Sequence, residues 1–284
     1  MGGNPLIKLD ELTKPATVLI EKISDAVGGI FKPYQVIRLA KAEAEAEQIR
    51  AESQIQITDL HRRAMHRFLE EEARKQSNIE EITYRALPLL EERARPQELG
   101  DDWIANFFDK SRIISDPQMQ ELWAGVLARE ANGPGTFSRK TVNILSDLEK
   151  SDADLFTMVY GFAWELEHVP TPIVFDVHAE IYNRCDIHFR PLAHLESLGL
   201  IRFDNISGFT RLRLPKLVTA SYFGRSVELG LPLEEGNAIE MGKVMPTQAG
   251  LELSMVCSPK PVEGFFDYAI GQWKDCDIQV KVVE

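Results

Sequence analysis

Apolar residues recur at helical spacing through the first half of the chain and at strand spacing through much of the last third. Pro15 suits the first turn of a helix with Thr13 as its cap, and Ala16, Leu19, Ile20, Ile23, Val27 and Ile30 then fall on one face. Gly28-Gly29 loosens that helix and Phe31-Lys32-Pro33-Tyr34 turns the chain. Residues 34–87 follow, 54 positions without Gly or Pro and rich in Ala, Glu, Lys, Arg and Gln. As a single helix they would span about 80 Å at a rise of 1.5 Å per residue. Between Ala40 and Glu47 Ala alternates with charge, which spreads small side chains over every side of a helix. A true stripe begins at Ile57 and continues at Leu60, Ala64 and Phe68. Two readings of the stripe stand: a solvated helix leaning on one neighbour, or a self-association seam.

Beyond Pro88 the punctuation changes. Trp103, Ile104, Phe107 and Phe108 form one helical face. Ser115-Asp116-Pro117 starts another helix, an acidic cap followed by Pro, with Met119, Leu122, Trp123, Val126 and Leu127 on its inner side. Asn132-Gly133-Pro134-Gly135 breaks the chain, and Ser138 caps a helix with Val142, Ile144, Leu145 and Leu148 inside. Ser151-Asp152 opens a last bundle helix through Phe156, Val159 and Leu166. Trp123 reads as a core residue.

From Pro170 onward strands enter. Ile173-Val174-Phe175 reads as a short strand, and Leu192, Leu195 and Leu198 as a helix stopped by Gly199. Leu200–Phe203 and Phe209–Leu214 read as two strands about an Asn205-Ile206-Ser207-Gly208 hairpin turn. Helix, Gly, strand, turn, strand is a winged-helix outline. Further strands are expected at 222–229, 241–245 and 278–283, with one helix capped by Thr247 and running through Leu251 and Leu253, and another through Phe265, Phe266, Ala269, Ile270 and Trp273. The fold class is therefore mainly α with a C-terminal α+β module. It is divided as an amphipathic N-terminal helix (1–34), a helical stalk (35–87), a small helical bundle (88–168) and a winged-helix-like domain (169–284).

A net charge of -12 over 284 residues disfavours broad nucleic-acid binding. It is uneven: residues 1–42 hold six basic and four acidic groups, a net of +2, so the remainder holds -14. That positive segment raises a second reading of the Ala16–Ile30 face, as a membrane contact on activation, which Glu21 and Asp25 on the polar side oppose. Lys14, Glu21, Lys22 and Asp25 interrupt the early apolar stretch, so no signal peptide is expected, and no run reaches the length of a membrane span. Three scattered cysteines, Cys185, Cys257 and Cys276, fit a reducing cytoplasm rather than a disulfide framework.

Catalytic patterns are missing: no phosphate-cradling glycine loop, G-x-S-x-G elbow or H-E-x-x-H. Cys185-x-x-His188 with His178 and His194 supplies one local pair of metal-ligand types where zinc sites bring pairs from two places, so no metal and no cofactor is expected. Arg202, Arg211 and Arg213, with Lys216 and Arg225, could line a wing against nucleic acid. The helix that would enter the groove offers His194 and Glu196 without Lys or Arg between Pro191 and Leu198, which favours a protein partner.

Three stretches carry a resemblance. Lys14-Pro15-Ala16-Thr17, Ile23-Ser24-Asp25-Ala26-Val27-Gly28 and the Ala-Lys-Ala-Glu-Ala run from Ala40 resemble the N-terminus of the bacterial abortive-infection alpha proteins. Glu121–Ala128, Ile144–Leu148 and Asp152-Ala153 are similar to the middle of that group. Thr247–Leu253 and Pro261-x-x-Gly264-Phe265-Phe266-x-Tyr268 resemble the end of a related, uncharacterised bacterial family. The resemblance implies a role in defence against phage, with a phage protein as trigger, and carries no catalytic residues. One departure is that only Arg38 and Lys41 follow the Pro33 turn, where many relatives are more basic. The expectation is a non-enzymatic, self-associating cytoplasmic protein. The alternatives are a membrane-active effector using the N-terminal helix and a DNA-binding regulator using the C-terminal domain.

Overall fold

The structure is a computed structural model that describes residues 12–27 and 59–283. The chain divides into two compact units, Met1–Val142 and Asn143–Glu284. The chain is helix-rich with a sheet-containing C-terminal region, as the alternation of 3.6- and 2-residue periods predicts. The expected stalk between 35 and 58, including Ile57, and Ile30 of the N-terminal face lie outside the described residues.

The first unit is helical. Helix α1 (Lys14–Val27) buries Ala16, Leu19, Ile20 and Ile23, packing against a 3-10 turn at Pro96–Glu98 and against α3 (Asp101–Ser111). Lys22 Nζ reaches Asp101 Oδ1 at 2.6 Å across that contact. Helix α2 (Asp59–Ala86) buries Asn78, Ile79, Ile82, Thr83 and Ala86 only and packs on α4 (Pro117–Asn132). Asp116 caps α4 as its sequence signals, its Oδ1 accepting from the Gln118 and Met119 amides at 3.0 Å. Trp123 is fully buried, with Phe107 set edge-on at 5.1 Å between ring centres. The Asn132–Gly135 break is held by a buried carboxylate. Glu130 Oε1 accepts from the Gly135 amide and Oε2 from the Phe137 amide, both at 2.7 Å. These charge-assisted bonds satisfy donors that the turn leaves without helical partners.

The division between units falls within α5 (Arg139–Ser146). In the second unit α6 spans Lys150–Tyr160 behind a reciprocal cap: the Glu149 side chain accepts from the Asp152 amide, and Asp152 Oδ2 accepts from the Glu149 amide at 2.9 Å. The helix does not run on to Leu166 as its spacing suggested. It stops at Gly161, where a Cβ would press on the Met158 and Lys260 carbonyls, and Ala163–Leu166 forms strand β1. Trp164 and Leu166 then alternate inward with the period of a strand.

Strand β2 is Val169–Pro172, earlier than the expected 173–175. After α7 (Glu180–Asn183) and α8 (Phe189–Ser197) come β3 (Ile201–Phe203), β4 (Phe209–Leu214), β5 (Leu217–Tyr222), β6 (Arg225–Gly230), β7 (Asn237–Gly242) and β8 (Val244–Pro246). Helices α9 (Gln248–Ser254) and α10 (Phe265–Asp275) and strand β9 (Gln279–Val283) complete the unit. Five strands form one antiparallel sheet in the order β2-β1-β5-β6-β9. The expected strand at 222–229 is two strands, turned at Phe223-Gly224.

The expected hairpin about Asn205–Gly208 does not form. β3 pairs with β8, and β4 pairs with β7. At the expected turn Asp204 Oδ1 accepts from the Ile206 and Ser207 amides at 3.0 and 2.8 Å, and the Asp204 carbonyl accepts from the Gly208 amide at 3.2 Å. Residues 204–208 thus close on themselves as a bulge between two pieces of one rising edge, and the partner edge arrives from residues 237–246. The Ser207 and Ile206 amides hold the Asp204 carboxyl below its usual range. Gly242, where the two halves of that partner edge join, has φ +80°, and a Cβ there would collide with the Val174 carbonyl.

Candidate interaction surface

The strongest departure from an ordinary folded surface is the N-terminal half of α2. Residues 59–70 are exposed at every position. Leu60 is 67% exposed and Phe68 58%, and Ala64 lies between them on the same face. Met65 and Leu69, which the stripe read from sequence omitted, are exposed beside it. Charges flank the apolar positions: Arg62, Arg63 and Arg67 come first, then Glu70, Glu71 and Glu72. The ion pairs Arg63–Asp59 (3.2 Å) and Arg67–Glu71 (3.6 Å) run along the helix with all four side chains exposed. Such pairs contribute little each. Glu72 accepts from Lys75 at 2.6 Å, which lowers its pKa and keeps it anionic.

The face read as either membrane-directed or packed is packed. Ala16, Leu19, Ile20 and Ile23 are buried in the first unit and Val27 is half-buried. Among the described residues no helix is long and apolar enough to cross a membrane.

The candidate nucleic-acid residues are not brought together as a row of free cations. Arg202 is exposed on β3 and Arg213 on β4. Arg211 is half-buried and spent on Glu167, which it contacts directly, and on the Leu166 carbonyl at 3.5 Å. Lys216 pairs with Glu234, and Arg225 lies 3.4 Å over the Phe266 ring. His188 Nε2 is 3.1 Å from Asp186 and His194 Nε2 is 2.7 Å from Asp152. Among the described residues no group of three such side chains could hold a metal ion.

Among the described residues each unit holds a cleft. In the first unit a cleft of about 730 Å³ is walled by Leu12, Ala16, Tyr84, Leu87, Pro88 and Leu89. Arg85 and Glu121, also in its wall, meet at 3.0 Å. Its size and apolar walls suit a buried side chain or small apolar ligand. Sequence reasoning passed over it because Leu87-Pro88-Leu89 reads there only as the end of a helix. In the second unit a smaller cleft of about 440 Å³ has Glu165, Glu167, His168, Thr219 and Ser221 in its wall. Glu167 and His168 form the two-residue turn between β1 and β2, both with positive φ. Ser221 donates to Glu165 at 3.3 Å. Neither cleft assembles a nucleophile, a base and an orienting partner.

No curated protein and no solved structure matches the chain. A family model described as a protein of unknown function (DUF2806) matches residues 62–269, from the exposed half of α2 into α10. The chain belongs to the DUF2806 family of proteins of unknown function.

Proposed function

We propose that this is a non-enzymatic, self-associating bacterial antiphage protein of the abortive-infection type. In this reading α2 carries assembly, and the C-terminal α+β module recognises a protein partner such as a phage component. The observation that carries it is the Leu60, Ala64, Phe68 stripe, exposed together with Met65 and Leu69 on one helix. A contiguous apolar patch bordered by charge is what association surfaces offer, and leaving it in water is unfavourable. The antiphage part rests on the resemblance carried by residues 14–28, 121–128 and 247–268. Burial of Ala16, Leu19, Ile20 and Ile23 argues against lipid contact by the resting protein. Engagement of Arg211 by Glu167 argues against a DNA-reading wing.

Light scattering at micromolar concentration tests the assembly. The unmodified protein is expected to be an oligomer, and Leu60→Glu with Phe68→Glu to be a folded monomer, because both positions are exposed and contribute no core. In a phage-plating assay the same double variant should lose protection. A monomeric unmodified protein, or an oligomer indifferent to both substitutions, refutes the assembly; full protection by a monomeric double variant refutes its link to defence.

A further inference from the structure

We infer that two copies of this chain pair through α2 in an antiparallel sense, each exposed half covering the other's; the inference rests on the self-association proposed above. It begins from helix geometry. Positions 18 apart are five whole turns apart at 3.6 residues per turn, so they lie on one line along a helix. Leu60, Ala64 and Phe68 therefore continue the line of Asn78, Ile82 and Ala86. The later three are buried where α2 packs on α4, and the earlier three are exposed. One face is thus covered by the chain's own α4 at its C-terminal end and by nothing described at its N-terminal end.

That continuity decides the orientation. Packed helices lie about 8–10 Å apart, roughly one helix diameter. In a parallel, in-register pair joined through the 60–68 face, the same face at 78–86 would also point at the partner. Both copies' α4 helices would then have to occupy the single gap between the two α2 helices. The antiparallel arrangement has no such conflict: each exposed half lies on the other, and each α4 falls beyond the far end of the overlap. The overlap from Leu60 to Lys75 would run about 24 Å at 1.5 Å per residue.

Charge complements the same arrangement. Arg62, Arg63 and Arg67 precede the middle of the overlap, and Glu70, Glu71 and Glu72 follow it, with Arg74 and Lys75 at its far end, Lys75 paired with its own Glu72. Reversing one helix brings each arginine block alongside the glutamate block of the second copy. A parallel pair would set arginines level with arginines and glutamates level with glutamates, which is unfavourable across an interface.

The test uses the full chain with the photo-crosslinking residue p-benzoylphenylalanine in place of Arg63, in an equal mixture of isotopically light and heavy protein. Cross-links joining light to heavy chains are expected on residues 70–75 of the second copy. Cross-links to residues 59–66 of the second copy overturn the antiparallel sense while leaving self-association standing. Cross-links confined to segments outside α2 overturn the inference and move the contact elsewhere, and a monomer throughout the concentration range refutes the underlying assembly as well. A second variant removes dependence on the label. Glu70→Lys with Glu71→Lys and Glu72→Lys should weaken self-association at least about tenfold, and mixing with Arg62→Glu, Arg63→Glu and Arg67→Glu should restore it. An unweakened triple-lysine variant overturns the antiparallel pairing.

Discussion

Replacing Trp123 with Ala removes the largest side chain at the centre of the first unit. The indole is fully buried against Phe107. A buried Trp withdraws on the order of 150–250 Å² from water, which at about 25 cal/mol per Å² is roughly 4–6 kcal/mol. The extended-chain reference overstates this by roughly 10–40%. The edge contact with Phe107 adds about 0.5–1.5 kcal/mol. Against these stands the indole N–H, which has no hydrogen-bond partner among the described residues and whose removal returns roughly 1–3 kcal/mol of desolvation cost. The balance is a loss of about 3–5 kcal/mol, in the usual range for a large aromatic truncated to Ala. For a unit of this size that lowers the melting temperature by roughly 6–20 °C. Because the chain has two units, a global melting curve mixes two transitions, and native-state hydrogen exchange is the cleaner assay. Amides of α3 and α4 should lose protection in proportion to the destabilisation, while those of the β5–β6 pair keep theirs. Unchanged protection at α4 would refute the argument and mark Trp123 as a surface residue of some contact.

Gly242→Ala should destabilise the second unit by about 2 kcal/mol or more, because its positive φ and the Val174 carbonyl oppose any side chain, and urea denaturation followed at β-sheet amides checks it. Alkaline stability follows from the tyrosines. Burial raises the pKa of Tyr160, Tyr182 and Tyr222, and their hydroxyls donate to the Gly250, Ile173 and Gly161 carbonyls. The folded state therefore holds protons that the unfolded state releases, so stability is full below the ordinary tyrosine pKa near 10 and falls as pH rises above it. Absorbance of phenolate during a pH titration should show these groups ionising together with loss of far-ultraviolet dichroism; independent ionisation with the fold intact would contradict the assignment.

Features that depend on neighbours a few residues apart are readable from the order of residues. Asp116-Pro117 gives a capped start, Thr247 caps α9 by accepting from the Gly250 amide, and Gly199 ends α8 with a positive φ. Each is settled within one helical turn, where side chain and backbone compete directly. The inward faces of α1, α3 and α4 were legible for the same reason, since periodicity records which side of a helix avoids water. Pairings between distant segments are not readable in this way. The partners of the Leu200–Leu214 strands lie outside that stretch: Leu214 pairs with Asn237 and Ile201 with Pro246, on an edge that local spacing cannot bring into view. Nor does periodicity distinguish the two ends of α2. Leu60, Ala64 and Phe68 repeat the line of Asn78, Ile82 and Ala86, yet only the latter meet α4. A period fixes which residues share a face; what covers that face depends on contacts from distant parts of the chain.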